Sequence, residues 1–103
     1  MAYWSEGKVE QYLRRAVDEC GGICVKNTDH RGALDRLVLL PNVPPVFVEC
    51  KSSDGTLTRL QVYEMTRLQD LWFRTRVVRS KADVDTLMDD IMALARGEDA
   101  WWG

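Results

Sequence analysis

Three stretches of the chain repeat apolar residues at the spacing of an amphipathic helix. The first runs from about Ser5 to Cys20, because Ser5 can cap its start and Gly21-Gly22 stops it. The second opens on Thr58-x-x-Gln61, which is a capping-box pattern, and the third follows the N-cap residue Ser80. We therefore predict three helices. Their apolar stripes are Val9, Leu13, Ala16, Val17 and Cys20; Leu60, Tyr63, Leu68, Leu71 and Trp72; and Val84, Leu87, Met88, Ile91, Leu94 and Ala95.

Four shorter apolar runs have the length and composition of β-strands. They are Ile23 to Lys26, Leu37 to Leu40, Val46 to Lys51 and Thr75 to Arg79. In the third run the two-residue period places Phe47, Glu49 and Lys51 on one face. The resulting order is αβββαβα. We predict an α/β fold in which helices flank a central mixed four-stranded sheet.

Length and charge narrow the class of protein. The 103 residues fit one domain, with an acidic, tryptophan-containing tail at about residues 97–103. Acidic residues outnumber basic ones by 16 to 14, but basic residues concentrate between Lys26 and Lys81, and acids dominate after it. That distribution leaves room for a basic face that binds phosphates. No stretch is long and apolar enough for a membrane span or a secretory signal, so we expect a cytoplasmic protein.

The thiols and the single imidazole argue against a zinc centre. Cys20, Cys24 and Cys50 match neither a zinc spacing nor a disulfide framework, and His30 is the only histidine. Small buried thiols are the simpler interpretation of the cysteines. A metal bound by this chain should therefore have oxygen ligands.

Two carboxylates and an ammonium group are expected to meet at one edge of the sheet. Asp35 precedes the second strand, and Glu49 and Lys51 end its neighbour. Asp35 could merely end a turn and the other two could form an ion pair, but all three lie beside apolar segments where unpaired charge is costly. Clustered carboxylates suit a hard divalent cation, and a nearby lysine can stabilise charge on a phosphate. The arrangement is typical of a phosphodiesterase.

The segments His30-Arg31-Gly32-Ala33-Leu34-Asp35-Arg36 and Phe47-Val48-Glu49-Cys50-Lys51, followed by Gln61, resemble the VRR-NUC branch of the PD-(D/E)XK nucleases. The resemblance extends from about Glu6 to about Asp85 and is to stand-alone members found in phages and bacteria. It implies that the metal is surrounded by Asp35, Glu49, a glutamate of the first helix and the main-chain carbonyl of Cys50. It also implies catalytic roles for Asp35, Glu49, Lys51 and Gln61. The family usually has proline where this chain has Leu34.

Some of these assignments have alternatives. Glu6 and Glu10 lie one helical turn apart, so spacing does not choose between them as metal ligand; we favour Glu10 because it follows Val9 on the rim of the apolar stripe. The capping box accounts for Gln61 without any function. Around the site, the expected phosphate contacts are Lys26, His30, Arg31 and Arg36.

The function expected from these features is that of a DNA endonuclease dependent on Mg²⁺ or Mn²⁺. The resemblance implies branched DNA such as a four-way (Holliday) junction as substrate, in replication, recombination or repair. We also expect a homodimer, held by apolar residues such as Trp72, Leu87 and Ile91 with the Trp101-Trp102 tail packing across. The alternatives are a DNA-binding or structural module with little catalysis and a nuclease subunit of a larger complex.

Overall fold

The structure is a computed structural model that describes residues 2–27, 34–98 and 101. The predicted fold class and element order are confirmed, and no strand boundary differs from its predicted position by more than one residue. The elements are α1 (Glu6–Glu19), β1 (Ile23–Lys26), β2 (Arg36–Leu39), β3 (Val46–Cys50), α2 (Arg59–Asp70), β4 (Arg74–Val78) and α3 (Lys81–Ala95).

A hydroxyl side chain caps the N-terminus of each of these three helices. Ser5 accepts a hydrogen bond from the Lys8 N–H, and Ser80 accepts one from the Asp83 N–H. Thr58 accepts from the Gln61 N–H while the Gln61 side chain accepts from the Thr58 N–H, which completes the predicted capping box. The capping residues in the sequence therefore fix where each helix starts.

The sheet has the strand order β1-β2-β3-β4. β1 and β2 are antiparallel, as are β2 and β3, whereas β4 runs parallel to β3 and is reached through α2. Arg36 of β2 lies opposite Val48 of β3. This register places the start of β2 beside the end of β3, at one edge of the sheet.

Helices α1 and α3 pack together over one face of the sheet and form the core with it. The buried core residues are Val9, Leu13 and Val17 of α1; Val84, Leu87, Met88 and Ile91 of α3; and Val38, Val46, Val48, Cys50 and Val78 of the strands. Leu87 and Ile91, which we had expected to hold a dimer together, have no exposed surface. That expectation was wrong for these two residues, because they close the core of the single chain.

The tail beyond α3 also packs on its own chain at Trp101. Trp101 is half-buried against the core, and the Arg76 guanidinium lies 4.3 Å from the centre of its ring. Trp102 lies outside the described residues.

The opposite face of the sheet is only partly covered. Helix α2 contacts the β4 side, where Gln69 Nε2 donates a 2.8 Å hydrogen bond to Thr75 Oγ1. None of the α2 residues is buried, so the apolar stripe predicted for this helix is not a core stripe; Trp72, just beyond it, is 90% exposed. The remaining part, called the open sheet face here, consists of Ile23, Val25, Leu37, Leu39, Phe47 and Phe73, of which Ile23 is 62% exposed.

The cysteines differ from one another in burial. Cys50 is buried and Cys24 is half-buried, but Cys20 is exposed at the end of α1, so the expectation of a buried thiol was wrong for Cys20.

Among the described residues, none of the helices has the length and apolar character needed to cross a membrane.

Candidate active site

Asp35 and Glu49 meet across the ladder between β2 and β3. Arg36 pairs with Val48, so the next position along the antiparallel register brings Asp35 opposite Glu49 on the same face. The Asp35 N–H donates a 3.0 Å hydrogen bond to Glu49 Oε1. Two like charges directly opposite each other destabilise a sheet, so this pairing indicates a functional site rather than an arrangement that stabilises the fold.

Glu49 is the buried centre of the site. It is 1% exposed, and its second oxygen, Oε2, accepts a 3.1 Å hydrogen bond from Gln61 Nε2. The ammonium of Lys51 lies 3.4 Å from the same oxygen. These contacts bring together Asp35, Glu49, Lys51 and Gln61, the four residues named as catalytic from the sequence.

Gln61 both caps α2 and contacts the buried carboxylate of Glu49. Its Oε1 accepts from the Thr58 N–H at 2.9 Å, and its Nε2 donates to Glu49. The capping box therefore orients the amide so that the nitrogen points at the carboxylate.

The turn after Lys51 packs closely against the base of this lysine. A Cβ added to Gly55 would lie 3.0 Å from the Lys51 Cβ, so any side chain at position 55 would press on the lysine. The Gly55 carbonyl accepts a 2.8 Å hydrogen bond from Arg79 Nε, which fixes the turn to the chain beyond β4. Neither Gly55 nor Arg79 was predicted from the sequence to lie at the site, because their contacts form only in the folded chain.

Three carboxylates from two elements could share a cation. Glu6, Glu10 and Asp35 each offer an oxygen within 4.8 Å of the other two. Asp35 Oδ2 is buried and has no hydrogen-bond partner among the described residues. An orphaned carboxylate oxygen in an oxygen-only donor set fits a hard divalent cation such as Mg²⁺ or Mn²⁺. Cys50, whose carbonyl was the further expected ligand, ends β3 between Glu49 and Lys51.

Burial and mutual repulsion disfavour charge on both central carboxylates. Burial raises the pKa of Asp35 above its ordinary value, and the negative charge of the nearby Glu10 raises it further. Burial, followed by Asp35, likewise raises the pKa of Glu49. The lysine ammonium opposes the shift in both groups without cancelling it. A bound cation would offset both the cost of burying these charges and the repulsion between them.

The expected phosphate contacts do not share one environment. Lys26 is exposed at the end of β1. Arg36 is 7% exposed and its Nη2 lies 2.9 Å from Glu10 Oε2, so we correct its assignment from a DNA contact to an internal ion-pair partner. His30 and Arg31 lie outside the described residues.

Known proteins with a similar fold or sequence carry a nuclease description. A solved structure described as "VRR_NUC domain" matches with a TM-score of 0.73 and 28% identity, over 84% of this chain and 97% of that one. A protein of Acyrthosiphon pisum secondary endosymbiont phage 1, described as "Putative nuclease p44", is 38% identical over 78 residues, which are 74% of this chain and 84% of that protein. No family model matches the sequence.

Fold, site and comparisons agree on the class of protein, which is a small nuclease-fold domain of the PD-(D/E)XK kind. The chain belongs to the VRR-NUC nuclease family, and its similarity is to stand-alone members.

Proposed function

We propose that this protein is a metal-dependent endonuclease that hydrolyses phosphodiester bonds of DNA. The observation that carries the proposal is the pairing of Asp35 with Glu49 across two strands, with the Lys51 ammonium 3.4 Å from Glu49 Oε2. Costly buried charge of this kind is kept where chemistry requires it.

The cation would be held by Glu10, Asp35, Glu49 and the carbonyl of Cys50. The first two belong to the carboxylate group described above, and Glu49 adjoins Asp35 through the hydrogen bond to its N–H. A bound divalent cation would lower the pKa of a water molecule and place positive charge beside the phosphate.

The side chains around the carboxylates have separate tasks in this proposal. Lys51 donates to the attacking water or to the phosphate oxygens, where negative charge develops as the P–O bond to water forms and the P–O bond to the leaving oxygen breaks. Gln61 holds Glu49 in place through its amide nitrogen. Lys26, exposed at the end of β1, contacts a backbone phosphate of the substrate.

The direct test is cleavage by the purified protein. Plasmid, flap and four-way junction DNA are incubated with Mg²⁺, with Mn²⁺ or with EDTA, and the products are separated on gels. Cleavage that depends on the metal supports the proposal. DNA binding without cleavage under every condition would favour the alternative, a binding module that keeps the nuclease fold.

Gln61 offers a prediction that separates helix capping from catalysis. Thr58→Ala is expected to lose about 1 kcal/mol of stability, as is usual for a lost N-cap, with a cleavage rate within a few fold of wild type. Gln61→Ala should lose stability to a similar extent but also lower the cleavage rate by roughly 10- to 100-fold, because Glu49 loses its amide partner. Denaturant unfolding and single-turnover cleavage measure the two effects. Equal cleavage rates in the two variants would show that Gln61 acts only as a helix-capping residue.

The finer part of the proposal is a homodimer that acts on branched DNA. A chain of 103 residues covers little DNA, whereas a two-fold pair presents two sites to two strands. The open sheet face supports this, because contiguous apolar surface on a small domain usually marks a contact. It replaces the α3 residues that we first expected at the interface.

We predict that Ile23→Lys makes the protein monomeric at micromolar concentration. Ile23 is 62% exposed on β1, so a lysine there does not disturb the core but does place charge in the proposed contact. Light scattering reports the mass. Val62→Lys, which changes a 48% exposed residue of α2, is the matched control and should leave the mass unchanged. A monomeric wild-type protein would contradict the dimer while leaving the nuclease chemistry intact.

A further inference from the structure

Arg36 is a charged residue on the core-facing side of the sheet. It opens β2 directly after Asp35 and lies opposite Val48, a fully buried residue. Its side chain is 8% exposed, and its Nη2 lies 2.9 Å from Glu10 Oε2. The Arg36 Nε is buried and has no hydrogen-bond partner within the part of the chain that the structure describes.

Stability alone is a weak reason for this arrangement. Removing two charges from water costs more than most ion pairs return, and a pair of apolar residues is often at least as stable. Glu10 is half-buried on α1 and is also one of the three carboxylates that could share a cation. The ion pair therefore fixes the position of a carboxylate that could also bind a cation.

We propose that Arg36 is a positioning residue for the metal centre, an inference that rests on the proposed function. The guanidinium holds Glu10 through Oε2, which leaves the carboxylate a second oxygen for a cation. Its positive charge also offsets part of the repulsion between Glu10 and Asp35. Glu10 makes this ion pair, whereas Glu6 is exposed, so the ion pair assigns the helix ligand to Glu10.

The test measures Mn²⁺ affinity by electron paramagnetic resonance or calorimetry, independently of cleavage. Arg36→Met should bind Mn²⁺ roughly 10- to 100-fold more weakly than wild type, the usual cost of losing a partner of a metal ligand. Arg36→Lys should recover part of the loss, because it restores the charge without the rigid fork of the guanidinium. Glu10→Gln should weaken binding far more than Glu6→Gln.

Arg76→Met is the matched control. Arg76 is also a partly buried arginine of the same sheet that pairs with a helix carboxylate, Asp90, at 2.8 Å. Its loss should lower stability and leave Mn²⁺ affinity unchanged. If Arg36→Met does not fold, Arg36→Gln carries the same comparison with an amide in place of the charge.

The outcomes separate this inference from the proposed function. A folded Arg36→Met or Arg36→Gln protein with wild-type Mn²⁺ affinity would overturn the positioning role. A wild-type protein that binds Mn²⁺ but cleaves no DNA would overturn the proposed activity, and the variant affinities would still decide the role of Arg36. A wild-type protein that binds no Mn²⁺ would refute the metal centre and this role with it.

Discussion

Asp35→Asn is expected to lower the rate of DNA cleavage by roughly 1,000-fold or more while the protein remains folded. Asparagine preserves the size of the side chain and one oxygen but removes the charge that a hard cation requires. Loss of a single electrostatic contact to a transition state already costs roughly 100- to 1,000-fold, and Asp35 lies between the other carboxylates of the site. Single-turnover cleavage measures the rate, and far-ultraviolet circular dichroism confirms the fold.

Asp89→Asn serves as the control for that variant. Asp89 is an exposed carboxylate of α3, so its loss removes the same charge from the chain without touching the site. Its cleavage rate should equal that of wild type. Wild-type turnover by Asp35→Asn would remove this aspartate from the mechanism.

The same variant has a pH-dependent effect on stability in the absence of metal. Burial and Glu10 raise the pKa of Asp35 above its ordinary value of 3.8, so the folded state favours the protonated carboxyl. The stability due to this group is therefore present below about pH 4 and is lost as pH rises through the folded pKa. Asparagine has no charge to lose, so melting in EDTA should show Asp35→Asn equal to wild type under acid conditions and more stable near pH 7. A larger advantage at acid pH would contradict the assigned cause.

The fold followed from the sequence where local and long-range signals agreed. Hydroxyl caps at Ser5, Thr58 and Ser80 mark helix starts through contacts only three residues away. Apolar runs mark β2, β3 and β4, each of which buries at least two residues. The apolar stripe predicted for α2 is not buried. Helical spacing of apolar residues indicates an amphipathic helix, but it does not indicate whether another layer covers that face.

The sequence pattern places Asp35, Glu49 and Lys51 near one another, but it does not predict the contacts among them. The spacing of Glu49 and Lys51 places both on one face, and the start of β2 brings Asp35 beside them. The error at Arg36 came from counting an arginine near the site as a phosphate contact. Only the register, which pairs Arg36 with Val48 and so turns its side chain toward α1, reveals that it meets Glu10.

Removal of divalent metal is expected to abolish cleavage completely. In EDTA the wild-type protein should produce no products above background, and Mg²⁺ or Mn²⁺ should restore full activity. Ca²⁺ should bind to the same oxygen ligands but support little turnover, because it is larger, accepts looser geometry and acidifies water less. Gel assays with each ion in turn measure turnover.

Binding and turnover can be separated by melting the protein with each ion. A ligand that binds only the folded state at 100 times its Kd stabilises by about 2.7 kcal/mol, which for a domain of this size raises Tm by roughly 10 °C or more. Mg²⁺, Mn²⁺ and Ca²⁺ should therefore all raise Tm in wild type, and none should do so appreciably in Asp35→Asn, because the orphaned Oδ2 is lost as an anionic ligand. Full cleavage in EDTA would refute the metal chemistry. A Ca²⁺-induced rise in Tm that survives in Asp35→Asn would place the ion elsewhere on the protein.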